Sequence, residues 1–229
     1  MAKIEPVFTR ETFRFFRDLA RNNRKVWMDA NRERYRQSVV QPFRRLLEEL
    51  SPYILQLDSR FATTGRSGAN FSRINRDIRF AKDKTPYRAQ MYLKCAAPFP
   101  GEGETGQLYT GLCQDTVTIG FRVYCGSKRK ESVIGLIAAP RVLAQPQWLA
   151  QQKKRLGKRY ESYWYKAVQG EWTEQRGWPG GPEDWKKLQG WIVRRKLKTA
   201  AATRASFPRD IAKIFRELYP LLRFTSLRD

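Results

Sequence analysis

From Thr116 to Cys125 the apolar residues alternate without a break. Val117, Ile119, Phe121, Val123 and Cys125 face one way, and Thr118, Gly120, Arg122 and Tyr124 the other. A helix would scatter these hydrophobic groups around its axis, so the run specifies a strand with one buried face. Leu108–Cys113 precedes it across Gln114-Asp115, which reads as a hairpin, and Ala89, Met91, Leu93 and Cys95 alternate with Gln90, Tyr92 and Lys94 as a further strand.

On either side of these strands the hydrophobic period is helical. Thr9 is a fitting N-cap for a helix carrying Phe13, Phe16, Leu19 and Ala20 on one face, and Asn22-Asn23 is its expected left-handed stop. A second helical stretch runs from about Val26 to Val40. A third has Pro42 in its first turn and Phe43, Leu46, Leu47, Leu50 and Ile54 at helical spacing. Gly65–Gly68 and Pro98–Gly106 read as loops. After Pro140 a helical stripe of Leu149, Leu156, Tyr160, Tyr163 and Trp164 is expected, then a loop at Trp178–Pro182. The last helix has Ser206 as N-cap and Ile211, Ile214, Phe215 and Leu218 on one face. Helices, strands and helices again predict one α+β domain over residues 1–229, an antiparallel sheet flanked by N-terminal and C-terminal helices.

Charge bounds the partners. Lys plus Arg total 45 against 22 for Asp plus Glu, a formal net charge of +23. Such a surplus repels itself in the folded state and attracts polyanions by counterion release. Nucleic acid or a phosphorylated small molecule is the expected partner class. The basic residues concentrate in Phe61–Pro100 and Lys128–Lys166, while Gly101–Ser127 holds Arg122 against Glu102, Glu104 and Asp115.

The chain contains no histidine, which removes imidazole general bases, the Ser-His-Asp and Cys-His systems and the commonest zinc ligand. Cys95, Cys113 and Cys125 form no CxxC pair and sit in strand-like runs, as reduced cysteines of a cytoplasmic protein do. Met1–Pro6 lacks the apolar stretch of a signal peptide, and no run reaches the ~20 apolar residues of a spanning helix. No cofactor and no metal site are assigned.

The segment Arg73–Arg88 is the candidate site. Arg73, Arg76, Arg79, Lys82, Lys84 and Arg88 are interleaved with Asp77, Asp83 and the apolar Ile74, Ile78, Phe80 and Tyr87, which are expected to pin it to a core. In strand geometry Arg76, Ile78 and Phe80 share a face, and Lys82–Pro86 forms a turn in which Asp83 bonds backbone amides. The cations can hold phosphate oxygens, Arg in bidentate fashion. They can equally form an internal network in which Asp77 and Asp83 orient the arginines. A third reading gives both carboxylates to Mg²⁺ or Mn²⁺ in a phosphodiesterase or other hydrolase.

Phe16–Trp27, then Asn31-Arg32-Glu33-Arg34-Tyr35 and Pro42-Phe43, lead into Arg73–Arg88. The pairing resembles domain-of-unknown-function family 2461, whose motifs run F-x-x-L-x-x-N-N-x-x-x-W-F, N-K-x-x-Y and R-I-x-R-D-x-R-F-S-K-D-K-x-P-Y-K. The likeness covers about Phe13 to Arg88. Met28, Arg32, Ala81 and Arg88 depart from the pattern, and Ala81 lacks the hydroxyl of the family's Ser. The resemblance implies a site at the block and supplies no reaction.

Two further clusters are singled out. Asn23, Trp27, Asn31, Arg32 and Tyr35 can face the block or simply pack and end a helix. Lys153, Lys154, Arg155, Lys158 and Arg159, beside Tyr160, Tyr163, Trp164 and Tyr165, can bind phosphates and stack bases or form a solvated helix.

Overall fold

Thr9 caps the first helix as its sequence demands. In the computed structural model, which describes residues 5–96, 106–125, 133–168 and 171–226, its side chain accepts from the Glu11 amide at 3.2 Å and α1 runs Arg10–Arg21. Phe13, Phe15, Phe16 and Leu19 are buried, whereas Ala20, expected on that face, is exposed. The helix stops at Asn22 without a left-handed residue. Asn22 has φ −125°, and its side-chain amide donates to the Asp18 carbonyl at 2.9 Å.

The stretch expected to be one helix over Val26–Val40 is broken. It comprises α2 (Lys25–Ala30), α3 (Arg32–Tyr35) and a wider π-helical turn, Arg36–Val40, leading into α4 (Gln41–Leu57). Asn31 ends α2 as Asn22 ends α1, donating from its side chain to the Trp27 carbonyl at 2.9 Å. The wide turn has a cause in Pro42. In an α-helix the Ser38 carbonyl would accept from residue 42, and proline has no N–H. Thr12 of α1 supplies the missing donor, its hydroxyl lying 2.7 Å from the Ser38 oxygen. Phe43, Leu46, Leu47, Leu50 and Ile54 are buried along α4, as their spacing predicts.

Among the described residues β1 (Gln90–Cys95), β2 (Gln107–Cys113) and β3 (Thr116–Tyr124) follow, and every alternating apolar residue from Val117 to Cys125 is buried. Residues 97–105, which hold most of the expected Pro98–Gly106 loop, lie outside the described residues, as do Lys128–Lys130. Next come α5 (Val133–Ala144) and α6 (Pro146–Leu156). The helical stripe then fails, because Glu161–Val168 is strand β4, pairing with β5 (Glu171–Arg176). Tyr163-Trp164-Tyr165 alternates half-buried, buried, half-buried, which is period two, and aromatic residues suit strands. After the short α7 (Pro182–Lys186), β6 (Leu188–Lys198) leads to α8 (Phe207–Ser226), with Ile211, Ile214, Phe215 and Leu218 buried.

The fold is α+β: a six-stranded antiparallel sheet, ordered β1-β2-β3-β6-β4-β5, flanked by helices. Contacts gather into two compact units, one from Met1–Cys95, Tyr109–Ile119 and Lys196–Lys213, the other from Ala96–Leu108, Gly120–Arg195 and Ile214–Asp229. Within the first, Phe8 meets Phe43 and Phe207 edge-on at 5.1 and 6.1 Å. Within the second, Trp191 takes Phe121, Trp178 and Trp185 edge-on at 5.2–5.6 Å. No described helix is long and apolar enough to cross a membrane.

Candidate functional site

The block Arg73–Arg88 belongs to the first unit and forms a loop with a closed neck. Arg76 N–H donates to the Pro86 carbonyl and Arg88 N–H to the Ile74 carbonyl, both at 2.8 Å, so Asn75 and Tyr87 face each other as an antiparallel bridge. Asn23 grips the neck from outside. Its Nδ2 donates to the Tyr87 carbonyl at 2.8 Å and its Oδ1 accepts the Tyr87 amide at 3.0 Å, so a side-chain amide stands where a neighbouring strand would. Tyr87 is buried, and Ile74 and Ile78 are half-buried. Phe80 does not anchor the segment as expected: it is 96% exposed. Exposure alternates through Arg79, with Arg76 and Ile78 half-buried and Asp77 and Arg79 exposed as strand geometry predicts, and the common face ends before Phe80.

Two aspartates organise the loop. Asp77 Oδ1 accepts from the Arg79 amide at 3.2 Å and from Nε at 3.0 Å, and Oδ2 accepts from Nη2 at 2.7 Å. Asp83 Oδ1 accepts the Thr85 amide at 2.9 Å, as its turn position predicts, while Oδ2 accepts from the Arg76 guanidinium, which also donates to the Thr85 hydroxyl. Lys84 Nζ donates to the Ile78 carbonyl at 3.0 Å. Arg76, beside Asp83, and the Thr85 amide hold the Asp83 carboxyl down at about 2, and Arg79 lowers Asp77 in the same direction. Both carboxylates are therefore ionised and occupied by guanidinium groups of their own loop. Among the described residues no three His, Cys, Asp or Glu side chains are grouped as metal ligands.

The remaining cations look outward. Arg73 and Lys82 are exposed and have no carboxylate partner among the described residues, and Arg88 makes one long contact, 3.4 Å to the Arg73 carbonyl. The Arg79 guanidinium lies 5.9 Å from the centre of the Phe80 ring. The loop thus presents one bare aromatic ring among cations, with part of the charge neutralised from within.

Of the second cluster only Asn23 reaches the block. Trp27 and Tyr35 pack against Phe15, centroids 5.7 and 5.5 Å away, and burial pushes the Tyr35 phenol up to about 12. Asn31 caps α2, and Arg32 pairs with Asp29 at 2.9 Å.

The third cluster separates in the second unit. Lys153, Lys154 and Arg155 lie on α6, Trp164 is buried, and Arg159 pairs with Glu217 at 2.9 Å. Tyr165 instead joins Tyr124 of β3 and Trp172 of β5, the three ring centroids 6.1–6.3 Å apart, with Trp172 41% exposed. Gly190 of β6 lies beneath them, and a Cβ there would fall 2.6 Å from the Tyr124 ring. Beside them the Arg194 guanidinium sits 4.9 Å over Tyr163. Their spread over four strands hid this patch from the sequence.

A family model described as conserved hypothetical protein (DUF2461) matches residues 11–137, more than half of the chain and the whole of the Arg73–Arg88 block. No curated protein matches the chain.

Proposed function

We propose that this chain, which belongs to the DUF2461 family of conserved hypothetical proteins, binds single-stranded nucleic acid through the loop that Asn23 clamps at Tyr87. One observation carries the reading: Phe80 is 96% exposed in a loop whose neck and two aspartate turns are hydrogen-bonded. An aromatic ring left in water gains by being covered, and an unpaired base covers it by stacking, worth about 1–3 kcal/mol per base. Arg73, Lys82 and Arg88 are the groups for the flanking phosphates, with Arg79 and Lys84, which also bond within the loop, beside them. Arg76, Asp77 and Asp83 are assigned to positioning, since their polar groups are spent within the loop, and Tyr87 because Asn23 holds its peptide group. The net charge of +23 supplies the long-range attraction.

The alternative of an internal ion-pair scaffold draws on the same pairs, Arg76–Asp83 and Arg79–Asp77, and leaves Phe80 unexplained. A divalent-dependent phosphodiesterase has less support, because each carboxylate it needs is held by an arginine. Anisotropy titrations of labelled single-stranded and duplex DNA and RNA across a salt series test the reading. Phe80→Ala should weaken single-strand binding by about 5–150-fold and leave duplex binding unchanged. Arg73→Gln with Lys82→Gln should flatten the salt dependence by about 1.4 in the log–log slope. Single-strand affinity equal in wild type and Phe80→Ala refutes the proposal.

A further inference from the structure

Arg10, Arg14 and Arg17 lie on α1 at i, i+4 and i+7, one stripe spanning about 10 Å of helix axis. All three are exposed. They form one wall of a cleft of about 500 Å³, closed on the other side by Thr199 and Thr203 around the short 3₁₀ turn Thr199–Ala201. Every lining residue belongs to the first unit. The volume lies within the range of small-ligand sites.

The charge in this cleft is only partly neutralised from within. Its one carboxylate, Glu11, gives Oε1 to Arg34 at 2.6 Å and comes no closer than 3.8 Å to Arg14 with Oε2. Arg10 and Arg17 have no carboxylate partner among the described residues. Like charges at helical spacing repel, and a solvated helix face would relieve that repulsion by spreading its cations into water. Here a second wall faces them. The Thr203 hydroxyl donates to the Ala200 carbonyl at 3.2 Å, and Thr199 also lines the cleft.

We infer that this cleft is a binding site for a small ligand carrying two or more phosphate groups, its oxygens bridging the guanidinium stripe and the Thr199 hydroxyl. Three forks along one helix suit an extended polyphosphate better than a single tetrahedral anion. A cleft of this size admits a free polyphosphate or a nucleotide and excludes a duplex. The site shares no residue with the Phe80 loop and does not depend on the nucleic-acid reading.

Calorimetric titration of the full chain with tripolyphosphate, pyrophosphate, orthophosphate and a nucleoside triphosphate, at constant ionic strength, tests it. A single saturable site is expected, with affinity falling from tripolyphosphate to orthophosphate. The nucleoside triphosphate shows whether a base adds to the shared phosphate chemistry. Arg14→Gln with Arg17→Gln should lower tripolyphosphate affinity at least about tenfold, and Phe80→Ala should leave it unchanged. Arg14→Lys with Arg17→Lys retains the charge without the fork and should fall between, a check independent of the Gln pair's folding. No saturable binding, or equal binding in wild type and both double variants, overturns the inference.

Discussion

Thr12 is an inconspicuous threonine inside α1, yet its hydroxyl answers for a proline in α4. With no N–H at Pro42, the Ser38 carbonyl depends on Thr12 at 2.7 Å, and Thr12 is fully buried. Thr12→Val keeps the shape and removes the donor, so it should cost about 1–3 kcal/mol in denaturant unfolding, with unchanged m-value. Asp83 gives a pH-dependent counterpart. Its carboxyl is lowered in the folded chain to about 2, so the stabilisation it brings is complete above the unfolded value of about 4 and is lost as pH falls through about 2. A carboxyl-carbon NMR titration should place the Asp83 midpoint near 2, and Arg76→Gln should move it toward about 4. A wild-type midpoint near the unfolded value would show that Arg76 and Asp83 do not pair in solution.

At the scale of elements, β3 is legible because its apolar residues alternate along the whole strand, and β2 follows from its place across a two-residue turn. The strands β4 to β6 are not. Leu149, Leu156, Tyr160, Tyr163 and Trp164 happen to lie at helical intervals, and the change of period falls inside that run, after Leu156. The candidate loop is legible from its charge, but Phe80 reads as core from sequence alone, because most aromatic rings are buried there. The arginine stripe of α1 was visible as spacing and was masked by so many other cations. In the aromatic patch of the second unit, Trp172→Ala should reduce single-strand affinity by about 5–150-fold if bases stack there, with little change in melting temperature because the ring is 41% exposed. Gly190→Ala should displace the Tyr124 ring, since the added carbon would lie 2.6 Å from it, and should lower both. Unchanged affinity in Trp172→Ala confines nucleic acid to the Phe80 loop.

Over the whole molecule the positive field is carried by Lys and Arg alone. The chain has no histidine, and burial pushes the Cys95 thiol well above its ordinary value, so few groups titrate near neutrality. Polyanion affinity should therefore stay flat from about pH 6 to pH 8 while falling steeply with salt, measured by the same anisotropy titrations. A change exceeding about threefold across that pH range would point to a titrating group other than Lys and Arg.

Asn23 holds Tyr87 through hydrogen bonds to its peptide group. What fixes the loop in place is thus indifferent to what the loop displays. Residues beyond the neck can be exchanged to suit another anion while the mooring stays intact, so the segment between Asp77 and Thr85 lends itself to grafting.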